Sequence, residues 1–105
     1  MPWFYLILAG LLEVVWASFM KKSDGFTLLV PSIITLTTMA ASFTLLTLAM
    51  RALPLGTAYT VWTGIGAIGT FTVGVVLFGE AVTPLRLIAA VLILSGIVLM
   101  KLASA

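Results

Sequence analysis

The sequence predicts an all-α membrane protein with four transmembrane helices in each chain. Of its 105 residues, 63% are hydrophobic and 8% are charged, and its mean hydropathy is +1.34, well above that of ordinary water-soluble domains. The apolar residues occur in long runs, and a helix needs roughly 20 of them to cross about 30 Å of hydrocarbon. Strands of a membrane barrel are not predicted, because they alternate between two faces over about 10 residues.

Four apolar runs, at 3–20, 30–50, 55–78 and 84–102, are the predicted spans, and together they form one predicted domain over residues 1–105. They are separated by "KKSDGFTLL", "RALP" and "GEAVT", which are short and polar or turn-rich. The first run is not predicted to be a cleaved signal peptide. It lacks a positively charged start and a small-residue cleavage site, and it contains Glu13.

The composition also excludes several kinds of function. The chain contains no cysteine and no histidine, so it lacks thiol chemistry, the commonest metal ligand and the usual general base. Neither a metal site nor a hydrolase triad is expected, and no cofactor is predicted. The net charge of +2 is spread over the loop ends, so nucleic acid is not an expected partner.

Glu13 is the most informative residue, because it is charged and lies in the middle of the apolar stretch "AGLLEVVWASFM". An ionisable side chain at mid-membrane costs about 3 kcal/mol on insertion scales, so such residues usually face a cavity and mark a transport pathway. The alternative is a permanently protonated glutamate that is hydrogen-bonded within the bundle. Gly10 and Trp16 lie three residues away on the same helix face. Trp16 either serves the site, through its indole N–H or its ring, or is an aromatic anchor.

The third span adds aromatic and small side chains. Tyr59 and Trp62 share a helix face, with Thr63 and Gly66 beside them, and they form either an aromatic wall of a site or ordinary packing between helices. The segment "GIGAIG" has the spacing of a dinucleotide-binding loop. However, no strand precedes it and no acidic residue follows at the required distance, so nucleotide binding is rejected.

The second span carries hydroxyl groups at helical spacing. Thr35, Thr38 and Ser42 recur at intervals of three and four residues and form a polar stripe on an apolar helix. Such a stripe can hydrogen-bond a carboxylate or a substrate. The alternative is bonding to the carbonyl groups of the same helix, which is common for serine and threonine in membranes.

The basic residues predict the orientation of the chain poorly. They divide almost equally between the two sides of the membrane, with Arg51 and Lys101 on the side of the amino terminus and Lys21, Lys22 and Arg86 on the other. A chain without a charge bias can insert in both orientations, and two copies can then pair as an antiparallel, dual-topology homodimer. Ser95 and Gly96 lie among bulky residues of the last span and would permit close packing of helices, in the dimer or within one chain.

One carboxylate in a cavity of aromatic and hydroxyl groups, with no fixed cation nearby, holds either a proton or an organic cation. Burial disfavours the charged form of a carboxyl group, so a cation that binds displaces a proton. If the site opens alternately to the two sides of the membrane, this competition couples inward proton flow to outward cation movement. The residues therefore predict a proton-coupled cation exporter rather than an enzyme, with membrane lipid as its surroundings.

The chain resembles the small multidrug resistance transporters, and within them the guanidinium exporter subtype. The resemblance is carried by "AGLLEVVWA", "GF" followed by "PSIIT", "LPLGTAYTVWTGIGAIG" and "SGIVLMKL", in the order of the four spans. It implies an antiparallel dimer in the bacterial inner membrane that exports guanidinium and small substituted guanidines in exchange for protons. It also implies that Glu13 binds both cation and proton, that Ser42 and Trp16 orient Glu13 by hydrogen bonds, that Tyr59 switches between the two glutamates, and that Trp62 walls the site.

Two positions depart from the pattern of this subtype. Thr60 replaces an alanine expected after Tyr59, and Leu99 lies in "VLM", where the subtype often has a glycine, so helix packing is expected to differ there. Guanidinium itself suits the site, since it is planar, donates to a carboxylate in a two-pronged geometry and stacks on an indole. The alternatives are a broader exporter of quaternary ammonium compounds, and a structural or regulatory membrane subunit in which Glu13 serves only helix association.

Overall fold

The computed structural model describes residues 2–103, and within them the chain forms four α-helices. These are α1 (Pro2–Lys22), α2 (Leu29–Met50), α3 (Leu55–Phe78) and α4 (Pro84–Ala103). Each of them is long and apolar enough to cross a membrane. The predicted all-α class with four membrane spans is therefore confirmed, and each helix end lies within two residues of the predicted span.

The turn between α3 and α4 shows how glycine and proline set the helix ends. Gly79 follows the last residue of α3 with φ of 65°, a left-handed conformation that glycine adopts without steric cost. The backbone N–H of Glu80 then donates to the carbonyl of Gly74 at 3.0 Å. Pro84 begins α4, where its missing N–H is not needed by the helix. The turn therefore folds Glu80 back beside the last turns of α3.

Helices α1, α2 and α3 contact one another, and α4 lies on the outer side of α3. Helix α1 packs against both α2 and α3, whereas α4 packs mainly against α3 and reaches α1 through Lys101, whose Nζ atom lies 5.1 Å from the centre of the Trp3 ring. The buried apolar cluster lies where the start of α1, the end of α2 and the start of α3 meet, and it consists of Leu6, Ala9, Leu46, Ala49, Ala58, Val61 and Trp62. Helix α4 has no buried residue, so one copy of the chain leaves this helix largely uncovered.

The chain forms a thin layer rather than a closed bundle. Its principal extents are 42, 35 and 16 Å, so the chain is less than half as thick along one axis as it is along the other two. Large apolar side chains are therefore exposed along the helices, as at Leu85 and Val76, which are 79% and 71% exposed. Lipid chains or a second copy of the protein can cover such surfaces, whereas water cannot do so without a large cost.

Candidate functional site

Glu13 lies in the middle of α1, and its partly buried side chain reaches α3. The carboxyl group lies directly against Gly66, where the Cβ of any other residue would overlap it. The glycine therefore provides the space that the carboxyl group occupies. The Oε1 atom of Glu13 is buried, and no residue in the described range 2–103 forms a hydrogen bond with it.

Trp16 lies one turn after Glu13, and it also has a buried polar atom without a hydrogen-bond partner among the described residues. This atom is the indole Nε1. Buried polar atoms in native proteins are almost always paired with protein, ligand or water. The acceptor on Glu13 and the donor on Trp16 therefore mark a place suited to a polar ligand.

The cavity beside Glu13 has a volume of about 210 Å³. It is lined by Glu13, Trp16, Ala17, Thr63, Gly66, Ala67 and Thr70. The lining thus combines one carboxyl group, one indole and two hydroxyl groups, and it contains no basic side chain. A carboxylate in such a cavity is stabilised by a mobile cation or by a proton. Residues 2–103 contain no group of three acidic, histidine or cysteine side chains that would hold a metal ion.

Ser42 connects three helices rather than contacting Glu13. Its fully buried hydroxyl group donates to the carbonyl of Ala9 in α1 at 2.7 Å and accepts from Nε1 of Trp62 in α3 at 3.0 Å. The expectation that Ser42 orients Glu13 through a direct hydrogen bond is therefore not met in this structure. The physical reason is that the Ala9 carbonyl, one turn before Glu13, takes the hydroxyl hydrogen.

An aromatic row runs from Trp16 to Tyr59. Ring centroids are 6.2 Å apart for Trp16 and Phe43, 5.7 Å for Phe43 and Trp62, and 5.5 Å for Trp62 and Tyr59. Three of these four rings are predicted site residues, whereas Phe43 is not predicted from the sequence. Nothing in the apolar sequence of α2 distinguishes Phe43, because its role depends on which helices flank it. The row links the Glu13 cavity to the half-exposed Tyr59.

Five predicted site residues do not line the cavity, namely Ser42, Trp62 and Tyr59, described above, and Gly10 and Thr38. Gly10 is buried against Ile65, and a Cβ on it would lie 2.6 Å from the Ile65 Cγ2 atom, so this glycine permits the close approach of α1 and α3 instead of lining the site. Thr38 donates its hydroxyl hydrogen to the carbonyl of Ile34 at 2.7 Å. Thr35 bonds the carbonyl of Pro31 in the same way. For both threonines, the structure shows the bonding within α2 that was the alternative interpretation.

A larger groove of about 780 Å³ lies between α3 and α4. It contains both positions that depart from the subtype pattern, Thr60 and Leu99, together with Gly96 and Tyr59. It contains no charged side chain, and neither Thr60 nor Leu99 lines the Glu13 cavity. Ser95 is exposed on α4, and a Cβ on Gly96 would meet no atom within 4 Å. Within one copy, these two small residues therefore do not bring helices together.

Comparison with known proteins gives matches over nearly the whole chain. The family model described as Small Multidrug Resistance protein matches residues 1–93. A protein of Yersinia pseudotuberculosis named guanidinium exporter is 58% identical over 104 residues, which cover 99% of this chain and 100% of that protein. A guanidinium exporter of Escherichia coli K12 is 53% identical over 104 residues, covering 99% of both chains. The matched relatives are thus named as exporters and not as enzymes, and the similarity extends over all four helices.

Proposed function

Because the chain belongs to the Small Multidrug Resistance protein family, we propose that it exports guanidinium ion and small substituted guanidines in exchange for protons. The names of its relatives support the choice of substrate. The observation that carries the mechanism is the buried Oε1 atom of Glu13. This atom has no protein partner within residues 2–103, and Glu13 faces a cavity with no basic side chain.

The protein is a multi-pass protein of the bacterial inner membrane, as its four membrane-spanning helices and its family indicate. It is a transporter and not an enzyme. Its chemistry is the displacement of one cation by another, with no covalent bond made or broken.

Two features of the cavity support guanidinium as the substrate. Guanidinium is a planar cation with hydrogen-bond donors only, and it pairs with a carboxylate through two parallel hydrogen bonds. The unpaired acceptor on Glu13 fits those donors. The ring of Trp16 lines the same cavity and offers a face on which a flat cation stacks. Trp62 supports this wall through the aromatic row.

Proton coupling follows from the single carboxyl group in the cavity. A desolvated carboxylate needs a positive charge beside it, and either a proton or guanidinium supplies one. The two cannot occupy the same oxygen atoms at once. A cation that arrives from one side of the membrane therefore displaces the proton that arrived from the other, and export of the cation is driven by the proton gradient.

The transporting unit in this proposal is an antiparallel, dual-topology homodimer. The thin layer formed by one chain leaves α4 with no buried residue, and the basic residues give no preferred orientation. Ser95 and Gly96 are the proposed packing residues of α4. Tyr59, which is 50% exposed and contacts Trp62, is the proposed switch between the two glutamates. Each copy contributes residues 1–105 as one four-helix domain.

The proposal is tested with purified protein in sealed liposomes. An outward gradient of guanidinium is imposed and internal pH is recorded, and the experiment is repeated with a small tetraalkylammonium ion. Acidification inside the liposomes with guanidinium alone supports the proposal. Acidification with both cations indicates the broader exporter of quaternary ammonium compounds, and no response to either indicates a structural or regulatory subunit.

A further inference from the structure

The groove between α1 and α3 continues beyond the Glu13 cavity. That cavity shares Ala17 of α1 and Thr70 of α3 with a second cavity of about 120 Å³. The second cavity is also lined by Ser18, Lys21, Val73, Gly74, Phe78 and Glu80. Since the two cavities share a lining residue from each of two facing helices, they are successive parts of one groove. The groove leads from Glu13 to the ends of the two helices.

Each end of this groove has a carboxyl group that lies against a glycine of α3. Gly66, Thr70 and Gly74 are spaced by four residues and lie on one helix face. The Glu13 carboxyl group occupies the space at Gly66, and a Cβ on Gly74 would lie 2.7 Å from Oε1 and 2.9 Å from Oε2 of Glu80. Eight residues at about 1.5 Å each separate the two glycines by about 12 Å. Glu80 therefore lies against an α3 glycine at the outer end of the groove, as Glu13 does at the inner end.

The Glu80 carboxylate already holds a guanidinium group, which belongs to Arg86. Nη2 of Arg86 donates to Oε1 of Glu80 at 3.0 Å, and Nη1 donates to the carbonyl of Ala81 at 2.7 Å. The guanidinium carbon lies 5.1 Å from the centre of the Phe71 ring. A carboxylate, a carbonyl and an aromatic face are also what a free guanidinium ion requires. The Arg86 guanidinium group thus has a carboxylate oxygen, a carbonyl and an aromatic ring as its partners.

We propose that Glu80, with the Ala81 carbonyl and the Phe71 ring, is a relay site where guanidinium displaces Arg86 on its way to or from Glu13. This inference rests on the proposed function. The side chains of Arg86 and Glu80 are 39% and 44% exposed, and ion pairs of such exposure are weak. Arg86 remains tethered beside the site and returns when the ion leaves, which keeps occupancy brief.

The groove between the two carboxyl groups also suits a cation that, like guanidinium, donates hydrogen bonds but accepts none. Ser18 and Thr70 donate their hydroxyl hydrogens to the carbonyls of Val14 and Gly66, both at 2.7 Å, and their oxygen atoms keep acceptor lone pairs. Lys21 lines the outer cavity and adds a positive charge there. The negative charge of Glu80 offsets this repulsion, so Glu80 makes the groove accessible to a cation.

The test compares the guanidinium KM of the wild type, Glu80→Gln and Arg86→Gln in proteoliposomes at low ionic strength. Glu80→Gln is expected to raise KM and Arg86→Gln to lower it, each about two- to fivefold, as exposed charge pairs allow. Both variants break the same ion pair. If the pair serves only the structure, its loss would therefore change the guanidinium KM in the same direction in the two variants. Opposite shifts support the relay site, and parallel shifts or no shift would overturn it.

Two controls keep this test decisive. Wild-type transport is measured first, because its absence would refute the proposed function, whereas wild-type transport with parallel shifts in the variants refutes the relay site alone. If Glu80→Gln does not fold, Gly74→Ala replaces it, since the added methyl group displaces the Glu80 carboxylate. The expected rise in KM is the same, and an unchanged KM would contradict the inference.

Discussion

Gly66 has only a hydrogen atom where any other residue has Cβ, and the carboxyl group of Glu13 occupies that space. The position of the buried carboxyl group is thus determined by a residue on another helix. Glycine at this point also keeps the wall of the cavity open, because the same residue lines it. Gly66 therefore allows the Glu13 carboxyl group to lie at the proposed cation site.

Gly66→Ala is expected to weaken guanidinium binding by roughly tenfold, equivalent to about 1.4 kcal/mol. The added methyl group overlaps the Glu13 carboxyl group and forces it out of its position. Isothermal titration calorimetry of the purified protein measures the change. Gly56→Ala is the matched control, since a Cβ on Gly56 meets no atom within 4 Å. Equal affinities in the two variants would contradict this role of Gly66.

The sequence identifies site residues when their chemistry is unusual for their surroundings. Glu13 is recognisable because it is a charge within an apolar helix, and Trp16 because it follows at helical spacing. Gly10 has the same spacing, yet it contacts Ile65 and does not line the cavity. The spacing of residues along the chain predicts which side chains share one face of a helix. Which of those side chains contact a second helix depends on where the two helices cross. Phe43 gives no sequence signal for the same reason.

At the scale of helices, Ser42 is the point where α1, α2 and α3 are joined by hydrogen bonds. One hydroxyl group serves the carbonyl of Ala9 and the indole N–H of Trp62. Within a membrane, helices gain little from apolar burial against each other, so hydrogen bonds between helices and close packing matter more. Ser42 therefore fixes the helices that carry Glu13 and the aromatic row.

Ser42→Ala is expected to destabilise the protein by about 1–3 kcal/mol, because it leaves the buried indole N–H of Trp62 without a partner and removes the bond that joins α2 to the Ala9 carbonyl. Chemical denaturation in detergent, followed by circular dichroism, measures the change. Ser32→Ala is the control, since the Ser32 hydroxyl bonds only the carbonyl of Leu28 one turn earlier. A loss of stability in Ser32→Ala as large as that in Ser42→Ala would show that Ser42 does not join the helices in this way.

The ends of the helices are predictable from the sequence, whereas their contacts are not. Pro84 and Gly79 are local signals, and each acts through its own backbone conformation. In contrast, the pairing of Ser42 with Ala9 joins residues 33 positions apart. Hydropathy cannot predict such a pair, because all four helices are apolar on most of their surface.

At the scale of the whole molecule, one chain is a flat layer with an open site. Among the described residues, the Glu13 cavity is lined by α1 and α3 only, and α4 has no buried residue. A second copy in the opposite orientation would cover these surfaces and give the site access to both sides of the membrane. The nearly equal division of basic residues, apparent in the sequence, is compatible with this arrangement.

Dual topology is tested by placing one cysteine in the cysteine-free chain. Thr27→Cys lies in the turn before α2 and Ala52→Cys in the turn after it, and both positions are exposed. Because the charge bias is nearly absent, about half of the molecules of each variant are expected to react with an impermeant maleimide added outside intact cells. Complete reaction of one variant and none of the other would establish a single orientation.

The competition between proton and guanidinium for Glu13 is tested most directly by counting the protons released when guanidinium binds. Purified wild type and Glu13→Gln are titrated with guanidinium in weakly buffered detergent solution over a range of pH. The wild type is expected to release protons on binding and to bind guanidinium more weakly as the solution becomes more acidic, while Glu13→Gln binds little and releases none. Guanidinium binding by the wild type without proton release at any pH, or unchanged binding by Glu13→Gln, would contradict the mechanism.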